Sequence, residues 1–138
     1  MSGRLLAASF VVLLFAGIGV AREPVETVAA KEARSWLGLV DQGKYGESWD
    51  GAAKLFRGAV TRERWTETAK GVREPLGKVV SRELKSAKHI TSLPGAPDGN
   101  YVVIQFATTF ERKKAAIETV TPLQEADGSW KVSGYFIK

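Results

Sequence analysis

Tyr101–Phe110 reads YVVIQFATTF, and its residues fall into two alternating sets. Val102, Ile104, Phe106, Thr108 and Phe110 share one side; Tyr101, Val103, Gln105, Ala107 and Thr109 share the other. A period of two in β-branched and aromatic residues is the signature of a strand with one face on a core. On its N-terminal side stands Leu93-Pro94-Gly95-Ala96-Pro97-Asp98-Gly99, a turn-rich loop in which Gly95, Gly99 or both are expected at positive φ. Before the loop, from Lys78 onward, Val80, Arg82, Leu84, Ser86 and Lys88 alternate with Val79, Ser81, Glu83, Lys85 and Ala87. That polar strand suits a sheet edge, where Arg82, Lys85 and Lys88 discourage pairing with another chain. On the C-terminal side, Glu111–Lys114 reads as a charged turn and Ala115–Gln124 as a third strand, with Pro122 marking a break or an edge. Asp127-Gly128 is a hairpin signal, and Ser129–Ile137 is the last strand.

The chain ahead of Lys78 has a helical period instead. Val25, Val28, Ala29, Ala33, Trp36, Leu37 and Val40 recur at steps of three and four, predicting a helix over Val25–Gln42 that Gly43 stops. A second helix is expected over Tyr45–Arg57, with Trp49, Ala52, Ala53 and Phe56 as its stripe and with Ser48 and Asp50 near an edge. A third starts after Thr61 as cap, shows Trp65, Thr68, Ala69 and Val72, and ends at Pro75 and Gly77. Helices followed by short-turned strands imply an α+β fold: N-terminal helices packed on a four-stranded antiparallel meander sheet.

Residues 1–21 read as a cleaved signal peptide. Arg4 is a positive start, Leu5–Val20 carries no charge, and Gly19 and Ala21 supply the small residues of a cleavage site. The apolar run is 16 residues long, short of the about 20 that a spanning helix wants. Residues 22–138 then form a single domain, expected in the periplasm or secreted. An uncleaved leader would make it an N-terminally anchored protein instead, the one expected membrane contact. The chain lacks cysteine, which excludes disulfides, thiolate metal sites and thiol nucleophiles. Its net charge of +5 is spread among interleaved signs rather than a basic stripe, so no nucleic-acid partner is expected.

Chemistry has few footholds. His89 is the only histidine, which with no cysteine argues against a metal site, and no nucleophile motif or phosphate loop is present. No cofactor is implied. Asp50 lies beside Trp49 in an apolar stretch, and Glu118 lies in Ile117–Val120 on a half-buried strand. A carboxylate against apolar walls can act as acid or base. It is more often an ion pair, with Arg57, Arg73 and Arg82 available, and for Glu118 the expected partner is Arg57 or Arg82. The tryptophans Trp36, Trp49 and Trp65 fall on helix stripes and default to core packing, although aromatics between helices and a curved sheet can line an apolar pocket. Trp36, Trp49, Asp50 and Glu118 are thus the candidate ligand-binding residues, and no residue qualifies as catalytic.

The chain also resembles a bacterial family, the domain of unknown function 4019. The resemblance rests on Ser48-Trp49-Asp50, Phe56-Arg57, Trp65, Arg73-Glu74-Pro75-Leu76-Gly77, Ser81-Arg82, the block Leu93–Val103, Phe110, Glu118-Thr119-Val120 and Gly128–Phe136. It runs from about Lys31 to Lys138. It implies an exported bacterial protein without assigned activity, similar in layout to NTF2-like or cystatin-like folds, and it carries over no catalytic residue. One departure is Thr61-Arg62-Glu63-Arg64, where members often have a serine and a glutamine in a better capping box. Two functions stay open: a non-enzymatic envelope module that binds a protein or an apolar small ligand, which the incomplete acid–base set favours, and a small-pocket NTF2-like enzyme using Asp50 or Glu118.

Overall fold

The computed structural model describes residues 3, 11–13, 17, 19 and 22–138. The expected signal peptide lies almost wholly outside the described residues. Helix α1 (Val25–Asp41) is followed by α2 (Tyr45–Asp50), α3 (Lys54–Ala59), α4 (Arg62–Arg73) and a 3₁₀ turn (Glu74–Leu76). Strands β1 (Val79–Ile90), β2 (Tyr101–Phe110), β3 (Lys113–Gln124) and β4 (Trp130–Ile137) then form one antiparallel sheet in the order β1-β2-β3-β4. The layout is the expected α+β meander.

Helix α1 lies across one face of the sheet because its apolar stripe is continuous. Ala29, Ala33, Trp36, Leu37 and Val40 are buried on Val102, Ile104, Phe106, Val120 and Val132. Val28 is more than a third exposed and so lies off that stripe. Gly43, at φ +73°, ends the helix. Thr61 caps α4, accepting from the Arg64 amide at 3.1 Å, but Arg64 stands where a capping box needs Glu or Gln, so no reciprocal bond is available.

The second expected helix is two short ones. Gly51-Ala52-Ala53 leaves the helix because the Ala53 N–H donates to the Val132 carbonyl on β4 at 2.8 Å, with Ala52 and Ala53 fully buried. A tertiary backbone bond thus overrides helix propensity, which is a weak prior over so short a stretch. Strict alternation in β1 also fails. The register shifts between Leu84 and Ser86, so Ala87, opposite Ile104, takes the inward place that unbroken alternation from Leu84 would give Ser86. Pro122 sits in β3, an interior strand, and coincides with the register shift between Val120 and Pro122, the bulge that a residue without an N–H favours. The charged turn is tighter than expected: Glu111 and Arg112 alone form it, and β3 already starts at Lys113.

The loop before β2 is locked. Gly95 takes φ +77°, the Tyr101 hydroxyl donates to the Pro97 carbonyl at 2.6 Å, and the Gly99 amide donates to the Thr91 carbonyl at 3.1 Å. His89, one residue before the end of β1, is exposed beside it, with Nε2 3.0 Å from Asn100 Oδ1.

Candidate functional site

The inward face of the sheet is apolar beneath the middle of α1 and changes character toward the end of that helix. Register explains how. Arg82 lies opposite Thr108, Phe106 opposite Glu118, and Val120 opposite Tyr135. Directly paired residues share a face, so Arg82, Thr108, Glu118 and Tyr135 all point at the helices. Asp41 at the end of α1 and Arg73 at the end of α4 close over them. The sheet's four strands and two of its helices each supply one member of the cluster.

Glu118 is fully buried. Its Oε1 accepts from Arg82 Nε at 2.8 Å and from the Thr108 hydroxyl at 2.5 Å. Its Oε2 accepts from Arg82 Nη2 at 3.2 Å and from the Tyr135 hydroxyl. A carboxylate offers about four lone-pair positions, and donors already occupy all of them. Arg82 turns its other edge to Asp41, with Nη1 2.8 Å from Oδ2 and Nη2 3.0 Å from Oδ1. Arg73 Nη2 adds a bond to Asp41 Oδ1 at 2.7 Å. Two arginines face two carboxylates, so the cluster is charge-neutral.

The electrostatics follow from this geometry. Burial alone would raise the Asp41 carboxyl, but the hydrogen bonds and charges of Arg82 and Arg73 outweigh it and hold Asp41 below the usual carboxylate range. Burial works against the charge of Arg82, yet its two carboxylates keep it firmly protonated. Burial, with the Glu118 charge behind it, pushes the Tyr135 phenol strongly up, so it stays a donor. Arg73 is 5 % exposed and stacks over Phe110 with its guanidinium carbon 4.9 Å from the ring centroid. Its Nε is buried without a hydrogen-bond partner, and its Nη1 lies 3.5 Å from the Tyr135 oxygen.

Beside the cluster, α4 and the free edge of β4 enclose a half-open cleft of about 270 Å³. Trp65, Val72, Arg73, Tyr135, Phe136 and Ile137 line it. Its walls are largely apolar, and Val72 and Phe136 are among the most exposed large hydrophobic residues of the domain.

The sequence-predicted residues separate. Glu118 joins the cluster, paired with Arg82, one of its two expected partners. Trp36 packs edge-on to Tyr135 at 5.3 Å between centroids and donates from Nε1 to the Ser48 carbonyl at 2.8 Å. Trp49 is half-buried and donates to the Val60 carbonyl at 2.8 Å, away from the cleft. Asp50, expected in an apolar stretch, is exposed at the end of α2, where a two-point bond from Arg62 holds it below the ordinary carboxylate range.

Sequence reasoning missed Asp41, Thr108 and Ser48. Ser48 is fully buried, receives the Trp65 indole N–H at 2.9 Å and donates to the Tyr45 carbonyl at 2.6 Å. A small hydroxyl residue directly before Trp49 was the available signal. Thr108 already stood in the inward set of the best strand, and a polar residue there needs a buried partner.

Residues 32–135 match the model of a family described as protein of unknown function (DUF4019). The chain belongs to that family. The DUF4019 match runs from Glu32, near the middle of α1, to Tyr135, and so contains every member of the cluster and most of the cleft wall. No curated protein matches the chain.

Proposed function

We infer that this protein is an exported, non-enzymatic binding module of the bacterial envelope that takes up a small apolar ligand or engages an envelope protein. The observation that supports this reading most is the saturation of Glu118. A general base needs a lone pair within reach of the proton it removes, and Glu118 has none to spare. Asp50 is committed to Arg62 at the surface. What remains accessible beside the cluster is an apolar cleft, the kind of concavity in which small ligands bind. The export part of the reading rests on the leader pattern of residues 1–21.

Two measurements on protein recovered from its own cells test the reading. N-terminal sequencing should begin at Arg22 on material from the soluble periplasmic fraction. Native mass spectrometry of the same material should show a retained small molecule or a protein partner. Met1 intact on membrane-bound protein would overturn the export claim, and turnover of the retained molecule by the purified protein would overturn the non-enzymatic one.

A further inference from the structure

We propose that the α4–β4 cleft is a binding site for a small uncharged molecule with an apolar, ring-sized body and one carbonyl-type acceptor, which takes a hydrogen bond from the Arg73 guanidinium. This rests on the binding-module reading and names the ligand class for it.

Size comes first. An engineered apolar cavity of about 150 Å³ holds benzene. The cleft, at about 270 Å³, has room for one ring and a short substituent. Trp65, Val72, Tyr135, Phe136 and Ile137 offer that body apolar contact.

The acceptor follows from Arg73. Arg73 is among the residues that line the cleft and is almost fully buried, but only its Nη2 makes a good hydrogen bond. Nε has no partner, and Nη1 has only the distant Tyr135 oxygen. Buried donors are normally satisfied, so an acceptor from outside the chain completes this one.

Neutrality follows from the charges. Arg73 and Arg82 are already balanced by Asp41 and Glu118. A ligand anion would add an uncompensated charge at a mostly apolar site, and a ligand cation would face Arg73 directly. A neutral acceptor satisfies the donor without disturbing that balance.

The test is a titration of the ¹⁵N-labelled protein with three matched probes: acetophenone (neutral, with an acceptor), ethylbenzene (similar shape, no acceptor) and benzoate (charged). Saturable shifts are expected with acetophenone at the Trp65 indole N–H and the Arg73 Nε–H, with ethylbenzene and benzoate each at least about tenfold weaker, a difference of roughly 1.4 kcal/mol. Val72→Glu, at an exposed position on α4, should abolish the acetophenone shifts. Arg73→Lys keeps the charge opposite Asp41 but removes Nε–H, and should erase the preference over ethylbenzene. Should Arg73→Lys not fold, the probe series on the wild-type protein still decides. No saturation by acetophenone, equal affinity for ethylbenzene, or tighter binding of benzoate would each overturn the proposal. A retained molecule or partner in native mass spectrometry alongside any of those results would leave the binding-module reading standing and break this inference alone.

Discussion

Two halves of one helix–sheet interface are built by opposite means. Under the middle of α1, Ile104, Phe106, Val102 and Val132 meet Ala33, Trp36 and Leu37 in apolar packing, and the Arg34 guanidinium carbon lies 5.0 Å from the Phe106 ring centroid. Toward the end of α1, the same sheet face turns ionic, and Asp41, Arg73, Arg82, Thr108, Glu118 and Tyr135 fill the space with hydrogen bonds. Phe106 and Glu118 face each other across β2 and β3, so the border runs through a single cross-strand pair. The apolar half depends on shape and volume alone, so volume-conserving hydrophobic swaps there should cost little. The ionic half is coupled, because removing one charged member leaves an uncompensated charge among the rest. The ionic half adjoins the cleft, and Arg73, whose buried Nε has no hydrogen-bond partner, lies there.

The contrast can be broken from either side. Phe106→Ala should have the largest effect, about 3–5 kcal/mol in a chemical denaturation curve, since a fully buried ring leaves a cavity under α1. A loss under about 1 kcal/mol would mean that Phe106 does not anchor the apolar half. Glu118→Gln keeps the volume but strips the charge from between Arg82 and the Tyr135 hydroxyl. It should cost about 3 kcal/mol at neutral pH, and probe binding in the cleft should fall only as far as the folded fraction does. Gly95→Ala, outside both halves, should cost about 1 kcal/mol from positive φ alone, because a Cβ there meets no atom within 4 Å.

The smallest effect is one of pH. Asp41 has its carboxyl held below the ordinary value when folded. Its contribution is therefore fully present above its unfolded pKa of about 3.9 and is lost as pH falls through the lower folded value. Asp41→Asn should flatten the fall of stability below about pH 4 while lowering the neutral plateau. An acid limb identical to that of the wild type would show that Asp41 does not carry this linkage.

Much of the apolar half was legible in the sequence. The alternation of Tyr101–Phe110 and the stripe of α1 named its members, since period alone decides which face is buried. The ionic half was legible in outline: a buried Glu118 needed an arginine, and Arg82 was one of two expected partners. Asp41 escaped because it stands at the exposed-looking end of a helix, where an acidic residue has no periodic signal. Its role arises only when the turn after α4 and the first residues of β1 bring Arg73 and Arg82 to it. The break at Gly51–Ala53 and the bulge after Leu84 were illegible for the same reason. Each is set by a partner distant in the chain, Val132 in one case and the register against Ile104 in the other.

The most direct measurement is a double-mutant cycle on Arg82→Met and Glu118→Leu, read by denaturant unfolding. Each single change strands a buried charge and should cost about 3–5 kcal/mol. The double change removes one positive and one negative charge together and leaves Asp41 paired with Arg73. It should therefore cost less than the sum of the singles by about 2 kcal/mol or more. Additive losses, with coupling under about 0.5 kcal/mol, would contradict the account of Glu118 as a saturated structural anchor and return it to the pool of groups available for chemistry.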